Sequence, residues 1–294
     1  MNDSAKPTIG FIGTGVMGRS MAGHLLEAGY TIHVFNRTQA KTAHLVAKGA
    51  VWQESPAAVA KASQVIITII GFPQDVEAVY LGNDGVIANA TAGACLIDMT
   101  TSRPDLAIRI AEQANSKAIS ALDAPVSGGD LGAREACLSI MVGGDKEAFD
   151  RVLPILEIMG NNIVYQGPAG SGQHTKMANQ IAIAAGMLGV CEAVAYAEKS
   201  GLNPSSVLRS IASGAAGSWS LSNLAPRIIA GNFDPGFFVK HFIKDMTIAL
   251  ESSSSMDLNM PGLAAAKASY EKLAAQEGGA DLGTQGLYKL YQQT

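Results

Sequence analysis

The chain has 294 residues, of which 48% are hydrophobic and 16% charged, with 32 glycines and a formal net charge of −4. That balance fits a globular α/β protein with many tight turns, and the dispersed lysines and arginines give no basic footprint for nucleic acid or an anionic membrane surface. Its 3 cysteines and 5 histidines are scattered without ligand spacing, so no metal is expected.

Met1 to Pro7 is polar and leads straight into an apolar strand without the hydrophobic stretch of an export signal, so a cytoplasmic protein is expected. That strand, Thr8 to Ile12, a helix from Val16 to Ala28 and a strand from Thr31 to Phe35 form a βαβ unit. Val65 to Ile70 and Cys95 to Met99 are continuous apolar runs of the kind buried in parallel sheets. Ala118 to Ala124, Leu138 to Val142 and Asn162 to Tyr165 extend the sheet. Between the last two, Asp145 opens a helix whose apolar face carries Phe149, Val152, Ile155 and Leu156.

After Gly167 the strand pattern stops, and Gly170 and Gly172 lead into a long apolar helix from Gln173 to Ser200. Its most apolar part, Ile181 to Ala197, carries Glu192 and is expected to be a buried helix rather than a membrane span. Beyond Gly201 the pattern is helical, punctuated at Asn203-Pro204, Gly231 to Pro235, Met260-Pro261 and Gly278-Gly279. The expected organisation is an α/β domain over 1–166, a connector helix over 167–200 and an all-α domain over 201–294, the last serving substrate binding and oligomerisation.

Gly13-Thr14-Gly15-Val16-Met17-Gly18 is a G-x-G-x-x-G motif that follows a strand and opens a helix. The first glycine serves the turn, the second admits a pyrophosphate to the backbone and the third lets helix and strand pack closely, so the motif predicts dinucleotide binding on a Rossmann-type doubly wound parallel sheet. The acid that usually holds the ribose 2′-hydroxyl is missing, and the second strand ends in Asn36-Arg37-Thr38. A guanidinium there can pair with a 2′-phosphate, which favours NADP, with NAD still possible; the plain alternative for Arg37 is a solvated residue at a helix start.

Four segments then occur in order: the glycine motif, Asp123-Ala-Pro-Val-Ser-Gly-Gly129, Gly170-Ser-Gly-Gln-His-Thr-Lys-Met-Ala-Asn179 and Lys244-Asp245. Together they resemble the β-hydroxyacid dehydrogenase family over essentially the whole chain, and Asp123 to Gly144 looks closest to its tartronate semialdehyde reductase branch. The resemblance implies that Ser127, Gly128 and Gly129 bind a substrate carboxylate. It makes Lys176 the general acid or base beside Asn179, although some members place the asparagine four residues after the lysine, where this chain has Gln180. It also implies that Lys244, Thr101, Phe72 and Pro73 line the cofactor. Lys240 is a competitor for any substrate-anion role, and Trp219, Leu221, Phe238 and His241 are candidates for setting substrate choice.

The expected activity is hydride transfer between NAD(P) and a small 3-hydroxy acid or semialdehyde, such as tartronate semialdehyde, methylmalonate semialdehyde or succinic semialdehyde. The alternatives are an imine reductase or a decarboxylating sugar-acid dehydrogenase on a similar scaffold, and a non-catalytic dinucleotide-binding module. The apolar connector and Ala-rich C-terminal helices further predict a homodimer or homotetramer.

Overall fold

The structure, a computed structural model, describes residues 6–292, so the first five residues of the polar N-terminal stretch lie outside the described residues. The chain divides into two compact units, one ending at Lys176 and the other beginning at Met177. The first unit is built on nine described strands: β1 Ile9–Ile12, β2 Ile32–Phe35, β3 Val51–Trp52, β4 Val65–Thr68, β5 Cys95–Asp98, β6 Ser120–Asp123, β7 Val126–Ser127, β8 Leu138–Gly144 and β9 Gly160–Gly167. Their order is β3-β2-β1-β4-β5-β6-β8-β7, with β9 paired to β8.

β1, β4 and β5 are fully buried along their length, because helices cover both faces of a parallel sheet. One face packs through Ile9, Phe11, Ile67 and Ile97 and the other through Ile12, Ile66 and Leu96. The chain reverses direction across the sheet between β1 and β4, which puts a crevice at the carboxyl ends of these two strands.

The later strands depart from the expected parallel extension. β8 runs antiparallel to both β6 and β7, and the sheet returns to parallel pairing only between β8 and β9. Connection length accounts for this. Residues 128–137 between β7 and β8 hold only the short helix Gly129–Arg134, too little for a crossover, whereas residues 145–159 contain the helix Lys146–Leu156 and bring β9 back parallel. That helix is capped as expected, with Asp145 accepting the Ala148 N–H at 2.8 Å. The edge strand β3 is two exposed residues and was not signalled by any apolar pattern.

The second unit is helical. A helix of 29 residues, Ser171–Lys199, starts in the first unit and runs on into the second, where Ala184, Met187, Cys191 and Val194 form one buried stripe. The stripe packs with Phe242, Met246 and Ala249 of the helix Val239–Ser254 and with Leu263, Ala266 and Tyr270 of the helix Pro261–Ala274. The buried helix expected over Ile181 to Ala197 contributes this stripe to the core, while its other face is exposed. By length and composition alone the full helix could cross a membrane, and 39% of its most apolar stretch is buried, with Ile183 and Tyr196 among the exposed side chains.

Cys95 lies in the core of the first unit and Cys191 in that of the second. Burial pushes the Cys95 thiol up to about 11 and the Cys191 thiol higher still.

Candidate functional site

The glycine turn after β1 is shaped by three separate demands. Gly13 has φ +99°, and a Cβ there would sit 2.2 Å from the Ile69 carbonyl oxygen; a Cβ on Gly18 would sit 2.0 Å from the Gly13 carbonyl oxygen. A Cβ on Gly15 would meet nothing within 4 Å. Two of the glycines are therefore required by packing, while the third leaves open space of the kind a phosphate group needs. The helix begins at Gly18 rather than at Val16, with Met17 as its N-cap and Val16 exposed in the turn. It has no side-chain cap and no acid in its first turn, an arrangement that suits an anionic ligand at its amides.

Thr14 and Asn36 tie this turn to the end of β2. The Thr14 N–H donates to Asn36 Oδ1 at 3.1 Å, its hydroxyl donates to the Lys41 carbonyl at 3.1 Å, and Asn36 Nδ2 donates to the Thr38 carbonyl at 3.0 Å. Arg37 stands outside this web and its Nη1 lies 3.0 Å from Asp75 Oδ1. Asp75 sits in the first turn of the helix Pro73–Leu81, for which Phe72 is the N-cap and Pro73 the first residue.

Behind that helix a buried chain of hydrogen bonds fixes the loops after β4 and β5. The Thr68 hydroxyl donates to Asp98 Oδ1 at 2.8 Å, so at its 2.8 Å contact with Tyr80 it accepts the phenol proton. Asp98 also accepts the Thr100 N–H at 3.1 Å, and the Thr100 hydroxyl accepts the Ile70 N–H at 3.0 Å. Burial, with the Asp98 charge close by, keeps the Tyr80 phenol well above its ordinary range. Thr101, half-buried, follows directly on this anchored segment.

Ser127 ends β7 opposite Ser139 of β8, and Gly128 and Gly129 follow with φ of +128° and +62°. They open the short helix whose last carbonyls, on Ala133 and Arg134, lie 3.0 and 3.1 Å from His24 Nε2. Both partners are acceptors, so this nitrogen carries a proton.

The start of the long helix is clamped to the sheet. Asp123 Oδ1 accepts the Gly170 N–H and Oδ2 the Gln173 N–H, each at 2.8 Å. The fully buried Gln173 side chain donates to the Thr100 carbonyl at 2.8 Å and accepts the Ser102 N–H at 2.9 Å. Gly172 allows the approach, since a Cβ there would lie 2.4 Å from the Met141 carbonyl oxygen. Lys176, one turn on from Gln173, is 7% exposed. Asn179 and Gln180 follow it by three and four residues along the helix.

Within the second unit, Asn179 Nδ2 donates to Gln180 Oε1 at 2.7 Å, and the buried Gln180 donates through Nε2 to Asp245 Oδ2 at 2.5 Å. Lys244 Nζ is 3.0 Å from Asp245 Oδ1, with both side chains largely withdrawn from solvent. The buried amide is thus Gln180, four residues after the lysine, and Asn179 serves it as a neighbour. Burial and the nearby Lys244 charge lower the pKa of His241. Lys240 pairs with Asp281 at 2.5 Å on the surface, Leu221 is buried in the core and Trp219 is exposed. Asp75, Asp123, Gln173, Gln180 and Asp245 all fall inside segments already quoted or adjoining them, but each also has a partner tens of residues away, and no local pattern announces that pairing.

Residues 8–167 match a family model described as the NAD-binding domain of 6-phosphogluconate dehydrogenase, and residues 170–291 match one described as NAD-binding of NADP-dependent 3-hydroxyisobutyrate dehydrogenase. The chain is 62% identical to the uncharacterized oxidoreductase YkwC of Bacillus subtilis, over 97% of this chain and 99% of that protein. It is 39% identical to 2-hydroxy-3-oxopropionate reductase of Escherichia coli, over 92% of each chain. Among solved structures, 3-hydroxyisobutyrate dehydrogenase of Mycobacterium tuberculosis with L-serine superposes with a TM-score of 0.89 at 30% identity, covering 97% of this chain and 99% of that one.

Proposed function

The chain belongs to the β-hydroxyacid dehydrogenase family and is an NAD(P)-dependent oxidoreductase; on that premise we propose that it interconverts a small semialdehyde acid and its 3-hydroxy acid, with Lys176 as the proton-transfer residue. The observation that carries the reading is the setting of Lys176: a buried lysine on a helix start that Asp123 and Gln173 lock to the ends of β5 and β6. A nicotinamide coenzyme held at the glycine turn would supply the hydride. Lys176 donates a proton to the carbonyl oxygen as carbon is reduced, and takes it back in the oxidation.

Ser127, Gly128 and Gly129 offer a hydroxyl and backbone amides to the substrate carboxylate. The open space at Gly15 and the uncapped helix behind it suit the pyrophosphate, and Arg37 favours NADP through the 2′-phosphate. Similarity to the E. coli reductase supports tartronate semialdehyde and glycerate as the first pair to test, with methylmalonate semialdehyde and 3-hydroxyisobutyrate as the second.

Consumption of NADPH and NADH against these semialdehydes tests the proposal. Lys176→Ala is expected to lower kcat by about a hundredfold or more while leaving coenzyme affinity unchanged. An unchanged kcat would remove Lys176 from the chemistry. Coenzyme binding without turnover of any semialdehyde would turn the reading towards an imine substrate or a non-catalytic module.

A further inference from the structure

The proposed coenzyme preference rests on Arg37, and a carboxylate stands against that side chain. Arg37 Nη1 is 3.0 Å from Asp75 Oδ1, with the arginine side chain 81% exposed and the aspartate 23%. The two residues follow β2 and β4, and β1 lies between those strands. The ion pair therefore spans the glycine turn that follows β1, on the side where this topology holds the adenosine ribose. Asp75 is in the first turn of its helix, where a negative charge complements the helix dipole.

We infer that Asp75 is a specificity-determining residue that moderates discrimination between NADP and NAD, an inference that rests on Arg37 being the partner of the 2′-phosphate. An isolated guanidinium offers a full positive charge to a phosphate. With Asp75 against it the formal charge at this corner is zero, one N–H is engaged, and the carboxylate repels the phosphate directly. A free 2′-hydroxyl meets no such penalty and can donate to a carboxylate. NAD-binding sheets of this type place an acid at the end of the second strand for that purpose. Here the acid comes from the helix after β4, on the other side of the glycine turn. Because the arginine of the pair is largely exposed, the effect is modest, about two- to fivefold in affinity.

Titration of wild type, Arg37→Ala, Asp75→Asn and the double variant with 2′,5′-ADP and with 5′-AMP reads this without turnover. Asp75→Asn is expected to tighten 2′,5′-ADP about two- to fivefold, to leave 5′-AMP unchanged or weaker, and to gain less when Arg37 is absent. No change, an equal change in both probes, or weaker binding of 2′,5′-ADP to Asp75→Asn overturns the inference while Arg37→Ala still lowers the preference for 2′,5′-ADP. If Arg37→Ala leaves the ratio of the two probes unchanged, the reading of Arg37 fails and the role of Asp75 falls with it.

Discussion

Asp123 combines a cost with a function that no neutral side chain supplies as well. Burial pushes its carboxyl up to about 6, while the Gly170 and Gln173 amides act in the opposite direction. Only a carboxylate has two oxygens free to accept both N–H groups. An unfolded aspartate titrates near pH 4, so between about pH 4 and about pH 6 the folded chain holds more proton than the unfolded one. This residue's contribution to stability is therefore larger at the acid end of that window and falls as pH rises through it. Asp123→Asn keeps one acceptor and loses the other, and is expected to destabilise by about 1–3 kcal/mol. Urea unfolding of both proteins at a series of pH values checks this: the gap between wild type and variant should narrow from about pH 4 to about pH 6. A gap independent of pH would show that Asp123 does not titrate there.

Among the elements, the turn after β1 separates packing from ligand binding residue by residue. Gly18→Ala forces a methyl to within 2.0 Å of the Gly13 carbonyl and should lower the thermal midpoint, whereas the methyl of Gly15→Ala enters open space. Gly15→Ala is expected to keep the wild-type midpoint and lose coenzyme affinity by tenfold or more, equivalent to about 1.4 kcal/mol. Loss of stability in Gly15→Ala would mean that this space is already used by the fold. The same turn was legible in the sequence because its three glycines fall within six consecutive residues, and β1, β4 and β5 were legible because both of their faces are covered. The direction of β8 was not, since it depends on the length of a connection rather than on any pattern within the strand. Nor was β3, whose two exposed residues pair with His33 and Val34 of β2. At the site, Lys176 and the Ser127–Gly129 turn stood out as motif residues. The bonds from Asp123 to Gly170 and Gln173, and from Gln180 to Asp245, join positions 47 to 65 residues apart, and only the fold brings them together.

At the scale of the whole chain, the second unit leaves large apolar side chains in solvent: Tyr196 is 75% exposed, Trp219 62% and Leu202 54%. The amphipathic helix Pro204–Ile211 has no buried residue at all. Such surfaces favour association of identical subunits, and we propose a homodimer or homotetramer. Sedimentation at micromolar concentration should give at least twice the 30.4 kDa chain mass, and Tyr196→Glu should shift the population towards monomer. A monomeric wild type would leave these side chains without that explanation. Burial of Cys95 in one unit and Cys191 in the other has a further consequence. Only the thiolate attacks a thiol-reactive dye, so each of these sulfurs stays silent until the core around it opens. Cys137, partly exposed, reacts without that delay and serves as the reference. The molecule thus carries two internal clocks, one per unit, and whether they run at the same rate tells whether the two units come apart together or one before the other.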